Sequence, residues 1–206
     1  VAEQTINYLT QINAIKLNTK NPFTWTSGIK SPIYCDNRLI LSYPDVRKFI
    51  ADEMTHIVKN LYGEKISIAG VATGAIAIGA MIAERLNLPY AYVRPEPKGH
   101  GLKNQIEGNI QEGSSIVVIE DLISTGKSSL NAINALKSEG YNVMGMLSIF
   151  SYNFQFANKK FEQENISINS LSDYNSLVKK IESEGSLSKT EINRLKKWRE
   201  DPKIWK

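Results

Sequence analysis

The densest set of reactive side chains lies in Ile116-Val117-Val118-Ile119-Glu120-Asp121-Leu122-Ile123-Ser124-Thr125-Gly126-Lys127-Ser128. An apolar run ends in two adjacent carboxylates, and a Ser/Thr/Gly stretch with a lysine follows. Gly126 lets backbone approach a ligand closely. Successive N–H groups at a helix N-terminus, joined by the hydroxyls of Ser124, Thr125 and Ser128, form a phosphate cradle, to which Lys127 adds a cation. Carboxylates beside a phosphate site suit a ligand that also carries hydroxyls in need of acceptors, as a ribose 5-phosphate does. Gly126-Lys127-Ser128 also matches the end of a Walker A loop, but that pattern requires a glycine where Asp121 stands. The plain alternative is a strand, an Asx turn and a Ser-capped helix with no ligand; it leaves this crowd of polar groups without a purpose.

Two further stretches carry chemistry. Arg94-Pro95-Glu96-Pro97-Lys98-Gly99-His100-Gly101-Leu102-Lys103 brings three strong cations and one of the two histidines into a glycine-punctuated loop. Such a loop suits closure over an anion with exclusion of water, against the plain alternative of a solvated basic hairpin. Val71-Ala72-Thr73-Gly74-Ala75 offers N–H groups at a helix start, either for anionic oxygens or for ordinary strand–helix packing through small residues. His56, on a regular amphipathic helix, and Cys35, without a companion thiol, read as structural.

These loops need elements to hold them. Apolar spacing predicts a first helix over about 3–17, a broken segment of short strands and turns over 23–38, and a helix starting near Pro44. Strands are then expected at 66–71, 90–94, 115–120 and 143–150. Helices at 75–86 and 128–139 alternate with them, and a loop fills 95–108. That alternation predicts an α/β fold, a central parallel sheet with helices on both faces, binding its ligands at the carboxyl ends of the strands. The more polar tail, 151–206, is expected to hold two helices, about 171–183 and 188–199, as a peripheral cap in which Trp198 and Trp205 pack.

Composition bounds the rest. A chain of 206 residues with 42% hydrophobic side chains is expected to form one domain, 1–206. The net charge of +4 is too small to argue for nucleic acid and suits anionic ligands. One cysteine excludes an internal disulfide framework and fits a reducing cytoplasm. The N-terminal VAEQTINYLT shows no signal-peptide pattern, and the most apolar stretch, 66–83, is broken by Ser67, Gly70, Thr73, Gly74 and Gly79, so no membrane span is expected.

Taken together, the 116–128 segment resembles the phosphoribosyl-diphosphate (PRPP) binding motif of type I phosphoribosyltransferases. The loop residues Arg94, Lys98, His100 and Gly101 resemble the catalytic loop of the orotate phosphoribosyltransferase family. Phe23-Thr24-Trp25-Thr26-Ser27-Gly28-Ile29-Lys30-Ser31-Pro32-Ile33-Tyr34 is similar to that family's orotate-binding stretch. The resemblance covers nearly the whole chain. It implies the type I phosphoribosyltransferase fold, with a small N-terminal hood of about 1–40 for the base, and pentosyl transfer from PRPP to orotate in pyrimidine synthesis. By the same resemblance Glu120 and Asp121 would hold the ribose hydroxyls. Leu122, Ile123, Ser124, Thr125, Gly126, Lys127 and Ser128 would hold the 5-phosphate, with Thr73, Gly74, Arg94, Lys98 and His100 on the pyrophosphate. Lys98, His100 and Asp121 would be catalytic, and Ser27, Gly28, Lys30, Tyr34 and Ser124 would meet orotate. Mg²⁺ would come mainly with PRPP, with no protein ligand assigned, and the active unit would be a homodimer whose loop 95–108 reaches the partner's site. The chain departs from the family at Pro95, where many members have Lys, and at Thr26, where some do. A purine phosphoribosyltransferase would lack the 98–101 and 27–34 patterns. A PRPP-sensing regulator would need a DNA-binding element that the sequence does not show.

Overall fold

The protein is described by a computed structural model covering residues 1–25, 28–97 and 105–202. Helix α1 (Ala2–Gln11) buries Thr5, Ile6 and Leu9. The helix expected to reach residue 17 stops here. Asn13 takes a left-handed φ of 57°, which asparagine tolerates. The apolar residues beyond it belong to strand β1 (Ile15–Leu17). Next come β2 (Phe23–Thr24), β3 (Lys30–Ser31) and β4 (Ile33–Cys35). β2 pairs antiparallel with β3, and β4 antiparallel with β1. A 3₁₀ turn over Asn37–Ser42 leads into α2 (Pro44–Tyr62), which opens on its proline and ends at Gly63, φ 77°.

The alternating section follows: β5 (Ser67–Val71), α3 (Ile76–Leu86), β6 (Tyr90–Val93), β7 (Ile106–Glu107), β8 (Ser115–Ile123), α4 (Lys127–Ser138) and β9 (Asn142–Ser151). The tail supplies α5 (Gln155–Gln163), β10 (Ile168–Asp173), α6 (Tyr174–Glu184) and α7 (Lys189–Glu200). One six-stranded sheet runs β10-β9-β8-β5-β6-β7, parallel throughout except for β7, which returns antiparallel beside β6.

The expected α/β architecture is therefore present, with three corrections. β8 continues to Ile123, three residues past its expected end, because Leu122 and Ile123 pair with Phe150 and Ser151 of β9. The 95–108 segment is not all loop: Ile106 and Glu107 close a hairpin on β6. The tail is no peripheral cap. It adds α5 and the edge strand β10, and residues 171–173, expected to be helical, are strand. β10 reads INSLSD, too polar and too short to announce itself as a strand. Its partner β9 supplies the hydrogen bonds, and Asp173 ends it by accepting from the Ser176 N–H as the cap of α6.

Alternation along β8 divides the core. Ile116 and Val118 face Ala132, Ile133 and Leu136 of α4 and Phe161 of α5. Val117 and Ile119 face the layer that includes α1, α2, α3, α6 and α7. Each such side chain, fully buried, contributes about 1.5–3 kcal/mol relative to exposure. The sheet is thus a rigid platform from which the strand-end loops project.

Candidate active site

β5 and β8 are neighbours, yet the chain steps from β5 outward to β6 and from β8 outward the other way to β9. The strand order reverses between them, and a crevice opens outside their carboxyl ends. The loops bordering it are 72–75 and 124–126, two of the stretches singled out above.

Glu120, at 3% exposure, is turned into the core. Its Oε2 accepts from the Ser129 hydroxyl at 2.8 Å and its Oε1 from the Asp121 N–H at 3.1 Å. Burial, and then the charge of Asp121, push its carboxyl well above the usual carboxylate range. Asp121 is also raised by burial, opposed by hydrogen bonds from Glu120 and from backbone N–H groups and by the Arg38 charge. Both carboxyls of the pair are thus raised, Glu120 by complete burial beside Asp121 and Asp121 against the opposing pull of its hydrogen bonds and of Arg38. The Asp121 carboxyl lies against Gly74: a Cβ on that glycine would stand 2.2 Å from Oδ2. The Ala72–Thr73 peptide just before it is cis. Behind, Asn37 donates from Nδ2 to the Asp121 carbonyl at 2.6 Å, while Cys35 Sγ donates to Asn37 Oδ1 at 3.2 Å. Burial first, then the charge of Asp121, pushes the Cys35 thiol up.

Gly126 begins α4 with φ 76°, and a Cβ there would meet the Phe161 ring at 2.9 Å. Both facts require glycine. The α4 N-terminus has no side-chain cap and its first residues Lys127 and Ser128 line the cavity, where leading N–H groups can donate to an anion. Ser124, Thr125, Lys127 and Ser128 line a cavity of about 790 Å³. Its other walls are Thr24, Trp25, Tyr34, Cys35, Leu122 and Tyr152. The Trp25 and Tyr152 rings are 4.8 Å apart, and Tyr34 stands exposed beside Phe23 at 5.8 Å. Lys30 Nζ donates to Thr24 Oγ1 at 2.8 Å across the β2–β3 pair.

The remaining expected residues fall out as follows. Gly28, φ 83°, donates its N–H to the Trp25 carbonyl in a tight turn. Arg94 pairs with Glu107 at 3.4 Å, and its N–H donates to the Gln105 carbonyl. Ile123 points into the α4-side core, so its side chain meets no ligand. Ser27, Lys98 and His100 lie outside the described residues, as does Trp205. Three positions escaped the sequence: Tyr152, Asn37 and Ser129. Tyr152 stands directly after β9, so the strand-end rule could have found it. Asn37 and Ser129 act through contacts made only in three dimensions. Among the described residues no three His, Cys, Asp or Glu side chains converge as a metal site. No helix among them is long and apolar enough to cross a membrane.

Comparison with known proteins agrees with this geometry. The family described as "Phosphoribosyl transferase domain" matches residues 41–169. Curated proteins similar to this chain include "Orotate phosphoribosyltransferase" of Phocaeicola vulgatus, 48% identical over 96% of this chain and 93% of that protein. The protein of the same name from Porphyromonas gingivalis is 45% identical over 96% of this chain and 94% of its own length. Among solved structures, the orotate phosphoribosyltransferase of Aeropyrum pernix superposes with a TM-score of 0.76 at 29% identity, over 89% of this chain and 99% of that one. A crevice at the reversal of the strand order, a glycine-started helix under a hydroxyl-rich loop and near full-length identity of this size converge, and the chain belongs to the orotate phosphoribosyltransferase family of type I phosphoribosyltransferases.

Proposed function

We propose that the chain transfers the 5-phosphoribosyl group of PRPP to N1 of orotate, giving orotidine 5′-monophosphate and pyrophosphate in pyrimidine nucleotide synthesis. The observation that carries this is one cavity walled by the phosphate cradle before α4 on one side and by the aromatic hood on the other. The 5-phosphate sits on 124–128 at the α4 N-terminus. Asp121 accepts the ribose hydroxyls, and Glu120 holds the Asp121 N–H from behind. The 72–75 loop, Arg94, Lys98 and His100 bind the pyrophosphate. Orotate stacks on Tyr34, its carboxylate toward Lys30 and the 27–28 backbone, with Ser124 near the reacting edge.

The chemistry follows from charge. Pyrophosphate leaves with growing negative charge, which the loop cations stabilise, and His100 can donate a proton to it. The ribose takes on oxocarbenium character, which the Asp121 carboxylate favours. Orotate is already an anion, so no strong base is needed at N1. Mg²⁺ enters as part of the substrate, Mg–PRPP. It would supply charge neutralisation of the diphosphate. Fixing both reactants in line lowers the barrier by several kcal/mol. We take the active unit to be a homodimer, loop 95–108 of one copy reaching the partner's site, on the strength of family membership. The cytoplasm is its compartment, supported by the buried, unpaired Cys35.

The test is orotate consumption followed by absorbance with PRPP and Mg²⁺, beside uracil, adenine and hypoxanthine. Turnover of orotate alone is expected. Turnover of a purine would reassign the substrate. Tight PRPP binding by calorimetry with no turnover of any base would make the protein a PRPP sensor.

A further inference from the structure

The β2–β3 hairpin that carries Thr24 and Lys30 is very small. It pairs only Phe23 with Ser31 and Thr24 with Lys30. A two-stranded ribbon of that length does not hold its own geometry in water. Beside local bonds from the Trp25 indole N–H to the Ile33 carbonyl and from the Asn18 N–H to the Pro32 carbonyl, it is held from the far end of the chain. Trp198 of α7 is 1% exposed, and its indole N–H donates to the Lys30 carbonyl at 2.8 Å. Its ring stands edge-on to Trp25 at 5.7 Å and to Tyr152 at 5.8 Å, the two aromatic residues that wall the cavity from behind.

At the other end of the same helix, Glu191 Oε1 accepts from Thr19 Oγ1 at 2.9 Å, in the connection between β1 and β2. Glu191 closes a capping box with Ser188, and the bonds from Ser188 and Thr19 hold its carboxyl down to about 2, so it stays ionised at working pH. The Tyr174 hydroxyl donates to the Leu195 carbonyl at 3.1 Å, which fixes α7 to α6. The helix is otherwise polar and buries only Ile192, Leu195 and Trp198. Its buried face thus meets the hood at two points, one at each end of the hairpin's approach.

We propose that α7 is the positioning element of the base pocket, with Trp198 setting where the Lys30 backbone and the Trp25 wall stand and Thr19–Glu191 holding the hairpin's entry. The proposal rests on the assignment of orotate to that pocket. A merely structural tryptophan would lower stability and weaken both substrates together. A positioning residue moves one KM.

Trp198→Phe keeps a ring and removes the N–H. It should raise the KM for orotate about fivefold, the effect of one net hydrogen bond. KM for PRPP and kcat should stay within about twofold, all measured well below each variant's Tm. Thr19→Val should produce the same selective rise without touching the aromatic core, and Thr19→Ser should restore the parent value. If Trp198→Phe does not fold, the Thr19 pair decides alone. Tyr34→Ala serves as control for the pocket. Should it leave the orotate KM unmoved, the pocket assignment and the brace both fall. Should it raise the orotate KM while Trp198→Phe and Thr19→Val do not, or shift both substrates equally, the brace alone falls.

Discussion

Glu120 and Asp121 are adjacent in the chain but live in different surroundings. Glu120 sits in the core with both oxygens engaged, while Asp121 is only partly buried and its carboxyl lies against Gly74. Burial raises the Glu120 carboxyl above its ordinary 4.5. Below that pH both folded and unfolded chains hold the proton, and nothing changes. Above it the unfolded chain releases the proton while the folded chain retains it, so folding stability falls as pH rises. Glu120→Gln removes that dependence and keeps an acceptor for the Asp121 N–H. In urea unfolding the variant should match the parent near pH 4.5. It should gain on it toward pH 8, by about 1.4 kcal/mol per unit by which the parent carboxyl is raised. Parallel curves across that range would show that Glu120 is not held protonated.

At the level of elements, the β5–α3 connection and the end of β8 are built to touch. Gly74 has a backbone conformation open to any residue, so its role is space alone. Gly74→Ala drives a methyl into the Asp121 carboxyl, at 2.2 Å before relaxation. The carboxyl must swing away from Gly74. A displacement of about 1 Å at a reacting centre costs about 100-fold in rate. We expect kcat/KM for PRPP to fall by about that factor with Tm nearly unchanged; near-parental turnover would mean that Asp121 does not contact the substrate.

At the scale of the whole molecule, the proposed dimer makes a quantitative prediction. Lys98→Ala and Asp121→Ala should each be close to inactive alone. If the loop of one copy serves the other, a mixed dimer of the two variants rebuilds one intact site and destroys the other. Random pairing then restores about one quarter of parental activity, since half the dimers are mixed and half their sites intact. Co-expression with no gain over the single variants would show that each loop serves its own chain.

The apolar run before Glu120, the glycine at 126 and the helix after it were legible in the sequence. Local sterics and strand–helix periodicity determine them before any tertiary contact forms. The same holds for α2 and α3, whose buried residues repeat at helical spacing, and for β5 and most of β9, which are continuously buried, mainly apolar runs. The polar strand β10 was not legible, because its identity comes from the partner strand β9. Nor was the end of the first helix, where Ile12 and Ile15 continue the helical spacing but belong to a turn and to β1. Glu120 and Asp121 look equivalent on paper; only the packing of Ser129 behind one and Gly74 against the other separates a fully buried carboxyl from a partly buried one. Trp198 read as a packing residue, and its bond to Lys30 spans 168 positions. The sequence by itself determined the hydroxyl-rich turn into α4 and the α/β framework, because those depend on neighbours along the chain. Which carboxyl is buried against Ser129, which lies against Gly74 and what the β2–β3 hairpin is tied to depend on groups far apart in sequence, and only the tertiary structure decided them.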